Sequence, residues 1–227
     1  PVVFGQSFGG MVAMHFAARH PARLSKLILS STAAQFRLDE TVKIMRELGG
    51  ERAAEVSHQF FSNPSQGAYD SYGKVCLPLY SNPIAPGASA FRERAIERPE
   101  VALHFFADEM ATMDMRAEIA NITCPTLVIG GTLDPVTPTL CSQVITDSIG
   151  ENACLQMFEG CGHGPHRDDP DGAEKVMRPF LSTSSMGGSF PLKFSISATV
   201  ISSEENLVNS SLANFSSPEL FFWLFER

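Results

Sequence analysis

Val2-Val3-Phe4-Gly5-Gln6-Ser7-Phe8-Gly9-Gly10 is the stretch on which the reading of the fold turns. Its first three residues are β-branched or aromatic and predict a strand. After it, Met11, Val12, His15, Phe16 and Arg19 recur at the spacing of a helical face, and Pro21 ends that helix. G-x-S-x-G carries chemistry only when it joins a strand to a helix, which is its context here. The flanking glycines leave room for a turn so tight that a Cβ would meet the neighbouring strand or helix. The serine between them is expected in a strained backbone conformation. That strain lifts its hydroxyl above the sheet edge, where the opening N–H groups of the helix also point. Ser7 is therefore the first candidate for a covalent nucleophile.

Working outward, residues 24–31 (LSKLILSS) read as a buried strand. Strand, helix and strand in this order make a βαβ unit and require parallel pairing. From about 34 to 115 the pattern is mostly helical, broken at Gly49-Gly50, at Asn63-Pro64 and over residues 82–87. Residues 41–48 and 101–113 are its clearest helices. With no strand among them, these helices predict a cap over the strand ends. Residues 125–131 (PTLVIGG) form the strongest strand of the chain. They run into Thr132-Leu133-Asp134-Pro135-Val136-Thr137-Pro138 and a helix over about 138–149. Residues 154–158 are the next strand, and Glu159-Gly160-Cys161-Gly162-His163-Gly164-Pro165-His166 follows it. A last helix covers about 171–181. Beyond Ser182, serine is frequent and charge sparse, so 183–227 reads as an unassigned tail, disordered or an unrelated extension.

The net charge of -8 argues against nucleic acid as a partner, and no apolar run is long enough for stable membrane insertion. Cys76, Cys124, Cys141, Cys154 and Cys161 are scattered and form no C-x-x-C pair. That pattern reads as reduced thiols of a cytoplasmic protein. The chain opens on Pro1 without a signal-peptide pattern, as a processed chain or a fragment would.

A serine hydroxyl needs a base to attack, and the base needs a carboxylate to orient it. The order serine, acid, histidine accompanies G-x-S-x-G on a parallel sheet. Asp134 and His163 each follow a strand directly, at the carboxyl ends where an open α/β sheet builds its sites. Asp147, in mid-helix, is the weaker rival acid, and His166 is the rival base. Asp134 also suits a turn or helix N-cap. The set His163, His166, Asp168 and Asp169 fits no standard metal site. Cys161 reads as a small packing residue, and Phe105, Phe106 and Met110 as packing within the cap.

Gly5 to Gly10, residues 125–138, Gly160-Cys161-Gly162-His163 and the triplet His104-Phe105-Phe106 together resemble the α/β-hydrolase superfamily, nearest its proline-iminopeptidase-like branch. The resemblance covers about 1–182. It implies a partial α/β-hydrolase fold: a mostly parallel sheet with an inserted helical cap at about 34–115. The long N-terminal stretch that carries further strands and a second oxyanion donor in that family has no match here. It implies Ser7 as nucleophile, Asp134 as the acid that orients the base, His163 as base and the Phe8 backbone N–H as oxyanion donor. His104, Phe105 and Glu109 are implied at a substrate pocket, with no cofactor and no metal. The expected substrate is a small-molecule ester, an amide or a short peptide, with an N-terminal aminoacyl or prolyl bond among the choices. The sequence departs from the iminopeptidases in one place. Ala102 and Leu103 stand where they carry an amine-binding glutamate, and Glu100 and Glu109 are out of register. The alternative reading is a truncated, non-catalytic fragment that retains the triad residues.

Overall fold

The computed structural model describes residues 1–81 and 98–183. The break expected at 82–87 and the tail from 184 onward lie outside the described residues. Strand β1 (Val2–Gln6) leads through Ser7 into helix α1 (Phe8–Arg19) and, after a 3-10 turn at Pro21–Arg23, into β2 (Lys26–Ser30). Helices α2 (Leu38–Ser62), α3 (Gln66–Val75), α4 (Pro99–His104) and α5 (Arg116–Ile119) separate β2 from β3 (Thr126–Gly131). Helix α6 (Thr139–Ile149), strand β4 (Ala153–Phe158), the single turn α7 (Pro165–Asp168) and helix α8 (Pro170–Ser182) complete the order.

The four strands lie in the order β1-β2-β3-β4. Every neighbouring pair is parallel, with Val2 opposite Lys26, Leu27 opposite Thr126 and Thr126 opposite Ala153. Strands β2 and β3 are buried at every position, whereas β1 and β4 are only partly covered. This explains the unbroken apolar runs in the two inner strands, since a parallel strand covered on both faces has no polar side to alternate with. Met14, Leu27, Leu29, Val128 and Ile145 join α1, the sheet and α6 in one core.

The helices between β2 and β3 have a core of their own, built on Met45, Phe60, Phe61, Tyr72 and Met110. Helix α2 bends at Gly50 (φ 72°), so the glycine pair kinks one long helix where the sequence predicts a break. The helix expected over 101–113 is corrected. After α4 the chain opens into a π-helical turn at Phe105–Glu109, and the helical stretch stops at Met110. Its adjacent phenylalanines have separate partners: Phe105 meets Phe8 (4.8 Å) and Phe106 meets Phe60 (4.9 Å). Among the described residues no helix is long and apolar enough to cross a membrane.

Lys26 opens β2 although it is only 3% exposed. Its ammonium donates to the carbonyls of Phe180 (2.6 Å), Leu181 (2.8 Å) and Thr183 (2.5 Å), and lies 5.4 Å from the centre of the Phe180 ring. A cation thus closes the carbonyl end of α8 and ties it to the inner sheet. Lys26→Met is expected to lower stability by about 1–3 kcal/mol, because the buried Phe180 carbonyl loses its donor. Urea unfolding at neutral pH checks this, and an unchanged midpoint would remove the lysine from the account of stability.

Candidate active site

Ser7 takes φ 52° and ψ -125°. Only one other described non-glycine residue, Ser31, has a positive φ. The turn is held by its surroundings. The Ser7 N–H donates to the carbonyls of Ser30 (3.0 Å) and Ser31 (3.1 Å), and the Thr32 hydroxyl donates to the Ser7 carbonyl (2.7 Å). A Cβ on Gly5 would lie 2.7 Å from the Gly9 carbonyl oxygen, and one on Gly10 would lie 2.6 Å from the Thr32 side chain. Both glycines are therefore steric requirements of the elbow. Ser7 makes no side-chain cap to α1. Phe8 is the first residue of α1, where a backbone N–H has no partner within the helix.

The second component comes from the loop after β3. Asp134 is 1% exposed. Its Oδ1 accepts from the backbone N–H groups of Val136 and Thr137 (both 2.9 Å), and its Oδ2 accepts from the Thr137 hydroxyl (2.8 Å). The two carboxylate oxygens stand 3.0 and 2.9 Å from His163 Nδ1. Burial alone would raise the carboxyl's pKa. The charge and hydrogen bond of His163, with the N–H groups of Thr137 and Val136, outweigh it and hold the carboxyl below its ordinary value. A carboxylate cannot donate, so Nδ1 carries the imidazole proton.

His163, in the loop after β4, is 4% exposed. Its Nε2 is 2.9 Å from the Ser7 hydroxyl. The loop is fastened from several sides. The His163 N–H donates to the Tyr80 carbonyl (2.6 Å), and the His163 carbonyl accepts from Gln6 Nε2 (3.0 Å) and Arg167 Nη2 (2.7 Å). The Gly162 N–H donates to Asp168 Oδ2 (2.7 Å). The loops after β3 and β4 meet so closely that a Cβ on Gly131 would be 2.2 Å from the Cys161 carbonyl oxygen. Serine, imidazole and carboxylate, each from the end of a different strand, form one hydrogen-bonded line.

The rivals fall elsewhere. Asp147 is exposed on α6. His166 packs edge-on against Phe4 (5.2 Å), and its Nδ1 lies 3.3 Å from the Ser30 hydroxyl. Burial, with the charges of Arg167 and His163, pushes its pKa from 6.5 down to about 3, so it stays neutral at physiological pH. A histidine kept neutral in the fold favours the folded state fully above its unfolded pKa and loses that contribution as pH falls. Between pH 6.5 and about 3, stability is expected to fall more steeply in the wild type than in His166→Phe. The difference is up to about 1.4 kcal/mol per pH unit. Parallel urea-unfolding curves from pH 7 to 4 would contradict it.

Phe105 reaches the site, with its ring edge-to-face on Phe8, which is itself 40% exposed. His104 faces solvent with its Nδ1 2.9 Å from Asp108 Oδ2, and Glu109 is exposed. Cys161 is buried, and burial first of all pushes its thiol up to about 11, which keeps it protonated and inert beside the base. A cleft of about 270 Å³ lies under α2 between Gln35, Phe36, Arg37 and Phe61, and includes none of the aligned residues. Sequence reasoning missed Gln6, Tyr80, Thr137 and Arg167. Thr137 alone had a local signal, since a Thr three residues after an Asp is placed to bond it across a turn.

Known proteins share this fold. The family model described as serine aminopeptidase, S33, matches residues 1–170. A proline iminopeptidase of Pestalotiopsis fici is 26% identical over 187 residues, covering 79% of this chain and 66% of the relative. A pimeloyl-[acyl-carrier protein] methyl ester esterase of Nitrosospira multiformis is 30% identical over 179 residues, covering 75% and 64%. The chain thus spans about two thirds of the length of these curated relatives. Among solved structures, an alpha/beta fold family hydrolase from Bacillus anthracis superposes with a TM-score of 0.59 at 19% identity, covering 78% of this chain and 66% of that one.

Proposed function

From the premise that this chain belongs to the S33 serine aminopeptidase family of α/β hydrolases, we propose that it is a serine hydrolase that cleaves esters or amides through Ser7, His163 and Asp134. The observation that carries this reading is the continuous line from Ser7 Oγ to His163 Nε2 (2.9 Å) and from His163 Nδ1 to Asp134 (2.9 Å). In the first half-reaction the Ser7 oxygen attacks the substrate carbonyl while His163 Nε2 takes its proton. Asp134 holds the imidazole in the required tautomer and stabilises the imidazolium. The Phe8 N–H, at the positive end of α1, donates to the developing oxyanion. His163 returns the proton to the leaving alcohol or amine, and an acyl-serine remains. His163 then deprotonates water, which attacks the acyl carbonyl and frees Ser7.

The rings of Phe8 and Phe105 give the neighbourhood of Ser7 an apolar wall. With His104 turned to solvent and Ala102 and Leu103 in place of an amine-binding glutamate, this wall favours a small ester with an apolar acyl group over a peptide with a free amine. A fluorophosphonate probe is expected to label wild-type protein on the peptide that contains Ser7. Short-chain p-nitrophenyl esters are expected to turn over faster than prolyl anilides. A folded wild type that takes no label would favour the non-catalytic alternative, and preference for the prolyl substrate would reverse the ester assignment.

A further inference from the structure

Tyr80 ends the 3-10 turn Leu77–Tyr80, far in sequence from any described strand, yet it touches the loop of the base in three ways. Its carbonyl accepts the His163 N–H at 2.6 Å. The same carbonyl oxygen lies where a Cβ on Gly162 would come within 2.3 Å, so the loop can approach it only as glycine. Its ring stands edge-to-face to the imidazole, with centroids 5.1 Å apart and planes at 71°. Beyond Tyr80 the contacts continue. Its hydroxyl is 2.9 Å from the Tyr72 hydroxyl. Tyr72 is buried on α3 against Phe60 (4.7 Å) and Phe61 (5.3 Å). Burial and its neighbours hold the Tyr72 phenol well above its ordinary pKa, so it remains protonated and able to donate.

We propose that Tyr80 is a positioning residue through which the helices inserted between β2 and β3 set the plane of the His163 imidazole, with Tyr72 as its anchor. The proposal rests on the hydrolase reading above for its consequence in catalysis, but not for its geometry. The physical need is specific. Rotation of a histidine ring about its last side-chain bond is soft and has no sharp staggered well. The ring must nonetheless aim Nδ1 at Asp134 and Nε2 at Ser7 together. Asp134 fixes one edge of the ring. The Tyr80 ring limits the remaining rotation, and its carbonyl fixes the height of the loop. Displacement of the insert therefore reaches the base directly, and an error of about 1 Å at the reacting atoms costs about a hundredfold in rate.

The test uses the full chain with Tyr80→Ala, Tyr80→Phe and Tyr72→Phe, each shown to be folded by far-UV circular dichroism and melting. The first readout is independent of activity: proton and nitrogen NMR of the His163 ring, giving its low-field Nδ1–H resonance and its titration. The second is the rate of fluorophosphonate labelling. In Tyr80→Ala the resonance is expected to broaden or vanish, the titration midpoint to move and labelling to slow by about 10- to 100-fold. Tyr80→Phe and Tyr72→Phe, which keep the ring against the imidazole but remove the hydroxyl pair, are both expected to fall between Tyr80→Ala and wild type. Should Tyr80→Ala not fold, Tyr80→Leu keeps the bulk without the ring and is read in the same way. A wild-type resonance and titration in the folded Ala or Leu variant would overturn the proposal. If wild type itself takes no label, the hydrolase reading fails while the NMR comparison still decides the role of Tyr80.

Discussion

Replacing Ser7 by glycine is expected to abolish hydrolysis and, in the same molecule, to raise the melting temperature. Ser7 occupies φ 52° and ψ -125°, a region that costs a residue with a Cβ about 1–3 kcal/mol. Glycine relieves that strain but gains unfolded-state freedom worth about 0.5–1 kcal/mol. The net gain is about 0–2.5 kcal/mol, at roughly 2–4 °C per kcal/mol for a domain of this size. Ser7→Ala keeps the Cβ and the strain, so it should lose activity without the thermal gain. Turnover should fall by about 10⁴-fold or more in both variants, since base and carboxylate achieve little without the nucleophile they serve. Paired calorimetry and ester hydrolysis separate the two effects. A glycine variant that melts no higher than the alanine variant would show that the elbow stores no strain. Retained labelling would remove Ser7 as nucleophile.

Asp134→Asn should cost about 10⁴-fold in turnover by a different route. An amide nitrogen facing His163 Nδ1 asks that atom to accept. The imidazole proton then moves to Nε2, and the ring meets the Ser7 hydroxyl with a donor instead of a base. Stability should suffer too. The carboxylate now accepts from Val136 N–H, Thr137 N–H and the Thr137 hydroxyl, and an amide oxygen cannot serve all of them. A loss of about 1–3 kcal/mol is the expected scale. The pH dependence follows from the depressed carboxyl. Its contribution is complete above the unfolded value of 3.8 and disappears as pH falls through the lower folded value. Wild type should therefore lose stability more steeply than the Asn variant as pH falls below 3.8. An Asn variant with near-normal turnover would show that His163 needs no carboxylate.

The parts of this molecule that were legible in its sequence are those whose cause is local. The elbow needs two glycines, a strand before it and a helix after it, all within a short stretch. Asp134 and His163 were readable because each loop follows an apolar run long enough to be a buried strand. The four strands lie where the pattern puts them, with ends shifted by one or two residues. The contacts that hold the His163 loop were not readable. Gln6 is 157 residues from the His163 carbonyl it binds, and Tyr80 meets the imidazole without any periodic pattern linking the two. The triplet His104-Phe105-Phe106 shows a related limit. Side chains adjacent in a helix point about 100° apart, so the three cannot all face one site. Phe105 turns to Phe8, and His104 turns to Asp108. The π-helical turn was equally hidden, because apolar residues at helical spacing do not distinguish the two windings.

Ser7 follows β1, Asp134 follows β3 and His163 follows β4. Among the described residues β4 pairs with β3, and β3 with β2 on its other side. During folding, the βαβ unit around the elbow can close early through near-neighbour contacts, while the pairing that brings β3 to β2 spans nearly a hundred residues and comes late. Until then Ser7 has neither His163 nor Asp134 within hydrogen-bond reach. The separation of Ser7, Asp134 and His163 on three strands ties their hydrogen-bonded line to the late pairing of β3 with β2.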